Sequence, residues 1–169
     1  EVLGIFKAYT TRVGEGPLPT ELKDKTGEAI RAQGEEYGAT TGRPRRCGWF
    51  DGVAARYSSQ VNGMTEAALT RLDVLDSFPS IKICTGYQLE DVGCIDEFPA
   101  SLERLARCTP ILEELPGWQK PTSSIRRFED LPKEAQNYVN RVEEIIGCPV
   151  KIVSVGQRRE DTIIREPVW

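Results

Sequence analysis

The spacing of apolar residues predicts strands and helices that follow one another along the chain. β-Branched and aromatic residues crowd residues 2–13, which indicates one strand buried for much of its length. Shorter apolar runs bounded by turn residues predict five further strands. These runs are residues 69–72, 80–89, 111–115, 150–155 and 162–165.

Two stretches in the first half of the chain have the periodicity of helices. The first is predicted to start at Thr20, a candidate N-cap, and to continue to about Gln33, where Gly34 stops it. Asp51 can cap the second helix, which continues through Asn62. The apolar spacing predicts one buried face on this second helix. That face would carry Val53, Ala54, Tyr57 and Val61.

The clearest helical pattern covers residues 131–146. Apolar residues recur there at helical spacing, and Gly147 follows as a C-terminal stop. Strands and helices mixed in this order predict a mixed α/β (α+β) fold, in which a small mixed sheet is flanked by helices. We expect residues 1–169 to form a single domain. The predicted core positions of the helix are Ala135, Tyr138, Val139, Val142, Ile145 and Ile146.

Composition and charge weigh against several classes of protein. The net charge is -4 and the pI about 5.1, whereas nucleic-acid-binding proteins are more often basic. No apolar run approaches the roughly 20 residues that cross a bilayer. We therefore expect no nucleic acid and no membrane as partner, and a cytoplasmic protein.

Cysteine and histidine usage also restricts the chemistry. The five cysteines are odd in number and contain no C-x-x-C pair, which predicts free, mostly buried thiols and no metal site. The chain contains no histidine, so the commonest general acid–base side chain is missing. The commonest metal ligand is missing for the same reason.

The stretch from residue 38 to residue 51, GATTGRPRRCGWFD, is the first candidate binding site. Its glycines permit a sharp turn, its threonine hydroxyls can donate to an oxyanion, and its three arginines repel one another at short range. An anionic ligand would relieve that repulsion, because guanidinium forks fit carboxylates and phosphates. The alternative is a solvated basic turn.

Asp73 is the second candidate, because it follows the predicted strand of residues 69–72. Open α/β sheets bind ligands at the carboxyl ends of strands. A carboxylate there can accept two parallel hydrogen bonds, from the N1–H and the exocyclic amine of guanine, and adenine offers no such pair on that edge. Arg71 could lie on the purine face. The alternative is a strand-end aspartate that caps a turn.

Residues 154–156, Ser-Val-Gly, form a third candidate at the end of a predicted strand. A strand that ends in glycine lets the backbone approach a flat ligand closely. A tight hairpin is the alternative explanation for the same residues.

The run from Gly38 to Asp51 closely resembles the aspartate-binding loop of the adenylosuccinate synthetases, and the likeness extends from about Tyr9 to Pro167. It covers only the C-terminal part of the family's sequence. A chain that opens inside a predicted core strand also suggests a piece of a larger nucleotide-binding protein. The resemblance implies an enzyme that joins IMP and L-aspartate at the expense of GTP, with Mg2+ required and a homodimer when intact.

The resemblance also implies roles for individual residues. Arg71 stands where the family usually has lysine and Val155 where it often has threonine, so the guanine contacts are expected to involve a guanidinium and backbone. The implied aspartate-binding residues are Ala39, Thr40, Thr41, Gly42, Arg43, Pro44 and Arg45. The implied IMP-binding residues are Val13 and Arg43, although Val13 could instead be simple core packing. The implied GTP-binding residues are Arg45, Arg71, Leu72, Asp73, Ser154, Val155 and Gly156.

The resemblance implies that this chain contains no catalytic residue, and two rival hypotheses remain beside it. The family's catalytic aspartate and histidine, its glycine-rich phosphate loop and its magnesium ligands lie N-terminal to the resembling segment, so the chain alone is predicted to be inactive. The rival hypotheses are a nucleic-acid-binding module and a stand-alone nucleotide- or anion-binding module without catalysis. The assignment further expects Arg43, Arg45 and Asp73 to face one cleft.

Overall fold

The structure, a computed structural model, describes residues 1–167. Within these residues the chain forms ten strands and four α-helices. In chain order they are β1 Leu3–Lys7, β2 Thr10–Arg12, α1 Lys25–Gln33, β3 Arg46–Gly48, β4 Phe50–Asp51, α2 Gly52–Val61, β5 Glu66–Thr70, β6 Ser80–Leu89, β7 Gly93–Ile95, α3 Leu102–Ala106, β8 Thr109–Pro116, α4 Lys133–Ile146, β9 Val150–Ser154 and β10 Thr162–Ile164. Short 3-10 helices cover Leu72–Leu75, Phe128–Asp130 and Arg159–Asp161.

The chain divides into two compact units, each assembled from separate stretches of sequence. The first unit comprises Glu1–Ala8, Ala54–Ile81 and the chain from Glu114 onward. The second unit comprises Tyr9–Val53 and Lys82–Glu113. The single domain expected over residues 1–169 stays a prediction, and its last two residues lie outside the described part of the chain.

A four-stranded mixed sheet, in the order β1-β5-β9-β10, forms the centre of the first unit. β1 and β9 both run parallel to β5, and β10 is antiparallel to β9. Ala67 and Leu69 of β5 and Val150 and Val153 of β9 are buried. The parallel pairs bring the carboxyl ends of β5 and β9 to the same edge of the sheet.

Helix α4 supplies the apolar stripe that the sequence predicts. Its buried residues are Ala135, Tyr138, Val139, Val142, Ile145 and Ile146. The Tyr138 hydroxyl is also buried and donates to the Ala8 carbonyl at 2.5 Å. Gly147 ends the helix in the left-handed conformation, at φ 75°, which glycine adopts without steric cost. The predicted helix and its core face are confirmed.

The second unit contains two small sheets. β2 and β3 form an antiparallel pair, while β4, β6 and β7 form a sheet that β8 joins through β6. One apolar cluster of the core contains Cys84, Tyr87, Leu89 and Leu105, and Phe98 packs against it. The Tyr87 hydroxyl contacts both carboxylate oxygens of the buried Asp51, at 2.8 and 2.7 Å. The mixed α/β class is therefore confirmed, although the described part of the chain forms three small sheets where one was expected.

The single strand expected over residues 2–13 is wrong. The chain bends at Ala8 and Tyr9 and forms β1 and β2, which pair with β5 and β3 respectively. Both bend residues are buried. The Ala8 carbonyl accepts from Tyr138, and the Tyr9 hydroxyl donates to Glu36 at 2.6 Å. Long-range side-chain contacts fix this bend, and they have no signature in the local apolar pattern.

The start of α1 and the buried face of α2 also differ from expectation. Asp24 caps α1, because its carboxylate accepts from the backbone N–H of Thr26 and Gly27. Thr20, the expected cap, is buried, and its hydroxyl oxygen has no hydrogen-bond partner within residues 1–167. In α2, Val53 is buried as predicted, whereas Tyr57 and Val61 are exposed by 46% and 60%, so the predicted buried face is wrong at these two positions.

The remaining expectations concern membranes and thiols. Within residues 1–167 no helix has the length and apolar character needed to span a bilayer. All five cysteines are free thiols, and four of them are buried while Cys94 is exposed. The prediction of free, mostly buried thiols is confirmed.

Candidate functional site

The arginine-rich loop, residues 38–45, lies in the second unit between α1 and β3. The Gly42 N–H donates to the Gly38 carbonyl at 2.8 Å, and the Gly38 N–H donates to the Arg43 carbonyl at 2.9 Å. Gly42 has φ 64°, in the left-handed region that disfavours a side chain. These bonds close the loop into a compact turn that presents the side chains of Thr40, Thr41 and Arg43 to solvent.

Two of the three arginines in this stretch have carboxylate partners inside the protein. Arg45 Nη1 lies 2.7 Å from Oε2 of Glu36, a side chain that is only 1% exposed. The Arg46 guanidinium binds Glu21 in a fork, with distances of 2.8 and 2.7 Å. The hydrogen bonds from Arg46 hold the pKa of Glu21 below its usual value. The repulsion expected among the three arginines is therefore offset within the fold for Arg45 and Arg46.

Arg43 differs from its neighbours. Its side chain is exposed, and its guanidinium makes no hydrogen bond or ion pair with any residue between 1 and 167. The hydroxyl oxygen of Thr41 lies 3.4 Å from the backbone nitrogen of Arg43, within the same turn. A free guanidinium fork beside two exposed threonine hydroxyls can receive a carboxylate. All the guanidinium N–H groups of Arg43 are thus available to a ligand, in contrast to those of Arg45 and Arg46.

Val13 lies in the second unit, directly after β2, and its side chain is 74% exposed. Simple core packing, the alternative explanation for Val13, is therefore wrong. Its proposed contact with IMP stays a prediction.

The second candidate site lies in the first unit, at the carboxyl end of β5. The strand ends at Thr70, three residues before Asp73, so the predicted strand of residues 69–72 is displaced. Arg71 has φ 62° and ψ 38°, which turns the chain sharply, and a 3-10 helix with Asp73 in its first turn follows. The left-handed conformation is uncommon for residues other than glycine.

Asp73 carries an unusual carboxylate. Its Oδ1 atom is buried and has no hydrogen-bond partner within residues 1–167. Burial raises the pKa of Asp73, and the negative charges of Asp76 and Asp161 raise it further. A buried acceptor without a donor costs about 1–3 kcal/mol. This oxygen is consequently prepared to accept a hydrogen bond from a ligand.

The segment of residues 154–156 lies beside Asp73's turn, because β9 is the neighbour of β5. The Ser154 hydroxyl oxygen lies 3.4 Å from the backbone nitrogen of Arg71 and donates to the Gly156 carbonyl at 3.1 Å. The Val155 N–H donates to the Asp161 carbonyl at 2.8 Å and closes the connection between β9 and β10. β9 and β10 form a hairpin, but residues 155–161 connect them and include a 3-10 helix, so it is not the tight hairpin of the alternative explanation. The segment also lies against Arg71.

The side chains of Leu72 and Val155 are fully buried. Any contact of these two residues with a ligand must therefore use the backbone. The replacement of threonine by Val155, relative to the family's frequent residue, is compatible with such a contact.

Sequence reasoning missed several residues that support this site. Asp76 accepts from the indole N–H of Trp118 at 2.6 Å and from both the backbone N–H and the hydroxyl of Thr122, at 2.8 and 2.9 Å. Arg126 Nη2 lies 2.8 Å from Oδ1 of Asp161. These partners are separated by 35 to 46 residues in sequence, so no local pattern identifies them.

No group of three or more His, Cys, Asp and Glu side chains within residues 1–167 is arranged to hold a metal ion. No magnesium site is assigned to the described residues.

The sheets and helices define a mixed α/β protein, and a half-buried carboxylate beyond the carboxyl end of a parallel strand is typical of ligand-binding edges in that class. A sequence model of adenylosuccinate synthetase matches residues 1–163. The chain belongs to the adenylosuccinate synthetase family.

Individual relatives agree with this assignment. The chain is 57% identical over 169 residues to the adenylosuccinate synthetase of Carboxydothermus hydrogenoformans and 57% identical over 164 residues to that of Geotalea uraniireducens. It covers 39% and 38% of the lengths of these relatives. The fully ligated adenylosuccinate synthetase from Plasmodium falciparum superposes with a TM-score of 0.93 at 34% identity, over 98% of this chain and 40% of that protein.

Proposed function

We propose that this chain is the aspartate- and guanine-binding C-terminal part of an adenylosuccinate synthetase. The complete enzyme would convert GTP, IMP and L-aspartate into adenylosuccinate, GDP and phosphate, a step of AMP biosynthesis, and would be a cytoplasmic homodimer. The observation that carries the proposal is the buried, unpartnered Oδ1 of Asp73 beside Arg71 and residues 154–156.

The guanine site follows from the hydrogen-bonding capacity of the base. The carboxylate of Asp73 can accept both the N1–H and the exocyclic amine of guanine, which supplies the donor that Oδ1 lacks. Arg71 would place its planar guanidinium on the purine face. The backbone of Leu72 and of residues 154–156 would border the base. Adenine presents no such donor pair, so this arrangement favours GTP over ATP.

The arginine-rich loop is proposed to hold L-aspartate. Arg43 has its full donor set available, and Thr40 and Thr41 add hydroxyl donors for the second carboxylate. Arg45 is partly engaged by Glu36, and its side chain is 33% exposed, which leaves it able to contribute electrostatically to aspartate and GTP. Arg43 and Val13 would also contact IMP. Ala39, Gly42 and Pro44 would shape the loop.

The reaction implied by the family begins with transfer of the γ-phosphoryl group of GTP to O6 of IMP. The aspartate amine then displaces phosphate at C6. The contribution of this chain is to neutralise the dicarboxylate and to orient the amine, while the base-binding residues select the nucleotide. Proton transfer, phosphate binding and magnesium binding are assigned to the N-terminal part of the enzyme.

A change of base preference tests the guanine site. Asparagine at position 73 can accept the N1–H and donate to the C2 carbonyl of xanthine, but its amide opposes the amine of guanine. Asp73→Asn should therefore weaken GDP binding by about 100-fold or more and tighten XDP binding. Calorimetry with both nucleotides measures this, and Asp91→Asn, on an exposed aspartate, serves as the matched control. An unchanged preference in Asp73→Asn contradicts the guanine site.

Activity measurements distinguish the complete proposal from the stand-alone binding module. The chain alone should produce no adenylosuccinate, because the family's catalytic histidine has no counterpart in a chain without histidine. The N-terminal part of the Carboxydothermus hydrogenoformans relative, added to this chain, should support turnover. Nucleotide binding by the chain without turnover in that mixture would favour the stand-alone module.

A further inference from the structure

The segment of residues 118–126 contacts both halves of the proposed guanine site. At its start, Trp118 and Thr122 donate three hydrogen bonds to Asp76, which closes the 3-10 turn that carries Asp73. At its end, Arg126 reaches Asp161, which lies behind residues 154–156. We define residues 118–126 as the bracing segment.

Asp161 transmits this contact to the base-binding backbone. Its Oδ1 binds Arg126, its Oδ2 accepts from the Arg158 N–H at 3.0 Å, and its carbonyl accepts from the Val155 N–H at 2.8 Å. A Cβ on Gly156 would lie only 2.4 Å from Oδ2 of Asp161. The carboxylate of Asp161 therefore packs directly against the Gly156 backbone and leaves no room for a side chain at position 156.

The guanidinium of Arg126 is itself oriented by the bracing segment. Nη1 donates to the carbonyls of Ser123 and Ile125, at 2.6 and 2.8 Å, and Nη2 is directed to Asp161. The Asp161 side chain is 13% exposed and that of Arg126 is 44% exposed. An oriented donor on a mostly buried acceptor is a stronger contact than a freely rotating surface pair.

From these contacts we infer that Arg126, acting through Asp161, is a positioning residue that holds residues 154–156 at the distance required for a guanine base. This inference rests on the proposed function of those residues as a guanine contact. Arg126 is bound to Asp161 and is assigned no contact with the base, so its removal should alter the placement and mobility of Val155 and Gly156 while the sheet remains intact.

Amide hydrogen exchange of the free chain tests the positioning role without any ligand. Arg126→Ala should increase the exchange rate of the Val155 amide by about tenfold, the effect of losing roughly one charge-assisted hydrogen bond. Arg127→Ala is the matched control, because Arg127 is 72% exposed and pairs only at 3.6 Å with an exposed Glu129. Unchanged protection of Val155 in Arg126→Ala, with α4 amides protected as in the native chain, overturns the inference.

Nucleotide binding provides the second measurement. Arg126→Ala should weaken GDP binding by about tenfold, Arg126→Lys should recover part of that loss, and Arg127→Ala should bind as the native chain does. If Arg126→Ala fails to fold, Asp161→Asn provides the same test, because it removes the charge and retains an acceptor for Arg158. Faster exchange at Val155 with unchanged GDP affinity overturns the link to the base.

Failure of the proposed function can be distinguished from failure of the inference about Arg126. Absence of GDP binding by the native chain, with or without the N-terminal part of the Carboxydothermus hydrogenoformans relative, refutes the proposed function. In that outcome the exchange rate of Val155 still decides whether Arg126 holds the turn.

Discussion

Asp73 and Asp76 show how two half-buried carboxylates three residues apart take different roles. Asp76 accepts three hydrogen bonds from Trp118 and Thr122, whereas Oδ1 of Asp73 accepts none within residues 1–167. Burial raises the pKa of both. At the scale of the residue, the fold supplies donors to both oxygens of Asp76 and none to Oδ1 of Asp73, which is why substitutions at the two positions should have opposite effects.

Asp73→Asn should leave the free chain at least as stable as the native chain at pH 7, and up to about 1 kcal/mol more stable. The pKa of Asp73 is raised in the folded state, so protonation favours folding, and that contribution is lost as the pH rises through the raised pKa. Asparagine removes this dependence. Thermal unfolding at pH 5 and pH 7 measures it.

The matched substitution Asp76→Asn should lower the free energy of unfolding by about 1–3 kcal/mol, because an amide nitrogen would then face donors from Trp118 or Thr122. A loss of stability in Asp73→Asn as large as that in Asp76→Asn would show that Asp73 has a structural partner and would weaken its assignment as a ligand acceptor.

Guanine binding should depend on pH through Asp73. The base requires the ionised carboxylate, and the pKa of that group is raised by burial and by the charges of Asp76 and Asp161. Affinity should therefore fall as the pH decreases through this raised pKa, approaching about tenfold per pH unit below it. Guanosine is the suitable probe in an NMR titration, because it carries no phosphate that titrates in this range.

The control for this pH profile is Asp91→Asn. Asp91 is exposed, and the hydrogen bond from Arg107 holds its pKa below the usual value, so its removal should leave the profile unchanged. A native profile that stays flat down to the pKa of an ordinary aspartate would contradict the role of Asp73.

At the scale of the element, the arginine-rich loop is held by one buried acid. Glu36 follows α1, accepts from the Tyr9 hydroxyl at 2.6 Å and pairs with Arg45 at 2.7 Å. Its backbone carbonyl also accepts from the Arg45 N–H at 2.9 Å. The loop therefore has a rigid base and an exposed tip, which is a suitable arrangement for an arginine that must meet a ligand in one orientation.

Glu36→Ala should destabilise the chain by about 1.5–3 kcal/mol, because it removes a hydrogen-bonded partner of Arg45 and leaves the Tyr9 hydroxyl without this acceptor. Lys23→Ala is the control, since Lys23 is 82% exposed and lies 3.9 Å from Glu21, and its effect should be within about 0.5 kcal/mol. Urea unfolding compares the two. Equal midpoints would exclude Glu36 as the anchor of the loop.

The elements that could be predicted from sequence are those with strong local patterns. The pattern over Ser80–Leu89 and the stripe of α4 lead directly to β6 and to that helix. The bend at Ala8 and Tyr9 could not be predicted, because the acceptor and donor that fix it come from Glu36 and Tyr138, which are 27 and 130 residues away. The start of α1 was missed because Thr20 and Asp24 are both residues that cap helices.

In the candidate site, too, residue types could be predicted from sequence, whereas the contacts between distant residues could not. Asp73, Arg71 and Ser154 were identified from their residue types at the ends of predicted strands and from a family resemblance. These residues lie close together because β5 and β9 pair in parallel, and this pairing is a long-range contact that local sequence does not reveal. Arg126 and Asp161 carry no signature of their own, since an arginine and an aspartate 35 residues apart become partners only in the folded chain.

At the scale of the whole molecule, each unit contains its own buried thiols. Cys148 lies in the first unit, and Cys47, Cys84 and Cys108 lie in the second. Burial raises the pKa of the Cys84 thiol to about 12 and also raises those of Cys108 and Cys148. These thiols report separately on the opening of the two units.

A thiol-reactive reagent at pH 8 should modify Cys94 rapidly and the four buried cysteines only after unfolding. With increasing urea, peptide mass spectrometry should show Cys84 and Cys108 becoming reactive at one common concentration, because they share a core cluster. The urea concentration at which Cys148 becomes reactive reports independently on the unfolding of the first unit. Fast modification of Cys84 in the native chain would contradict its position in the core.

The left-handed backbone of Arg71 has a consequence for anyone who engineers this chain. Glycine at position 71 would relieve a strain of about 1–2 kcal/mol, so a thermostability screen carried out without nucleotide would select it. The same replacement would remove the cationic plane proposed to cover the purine. Selection for heat resistance and selection for nucleotide binding should therefore choose different residues at this position, and variant libraries are best sorted with the nucleotide present.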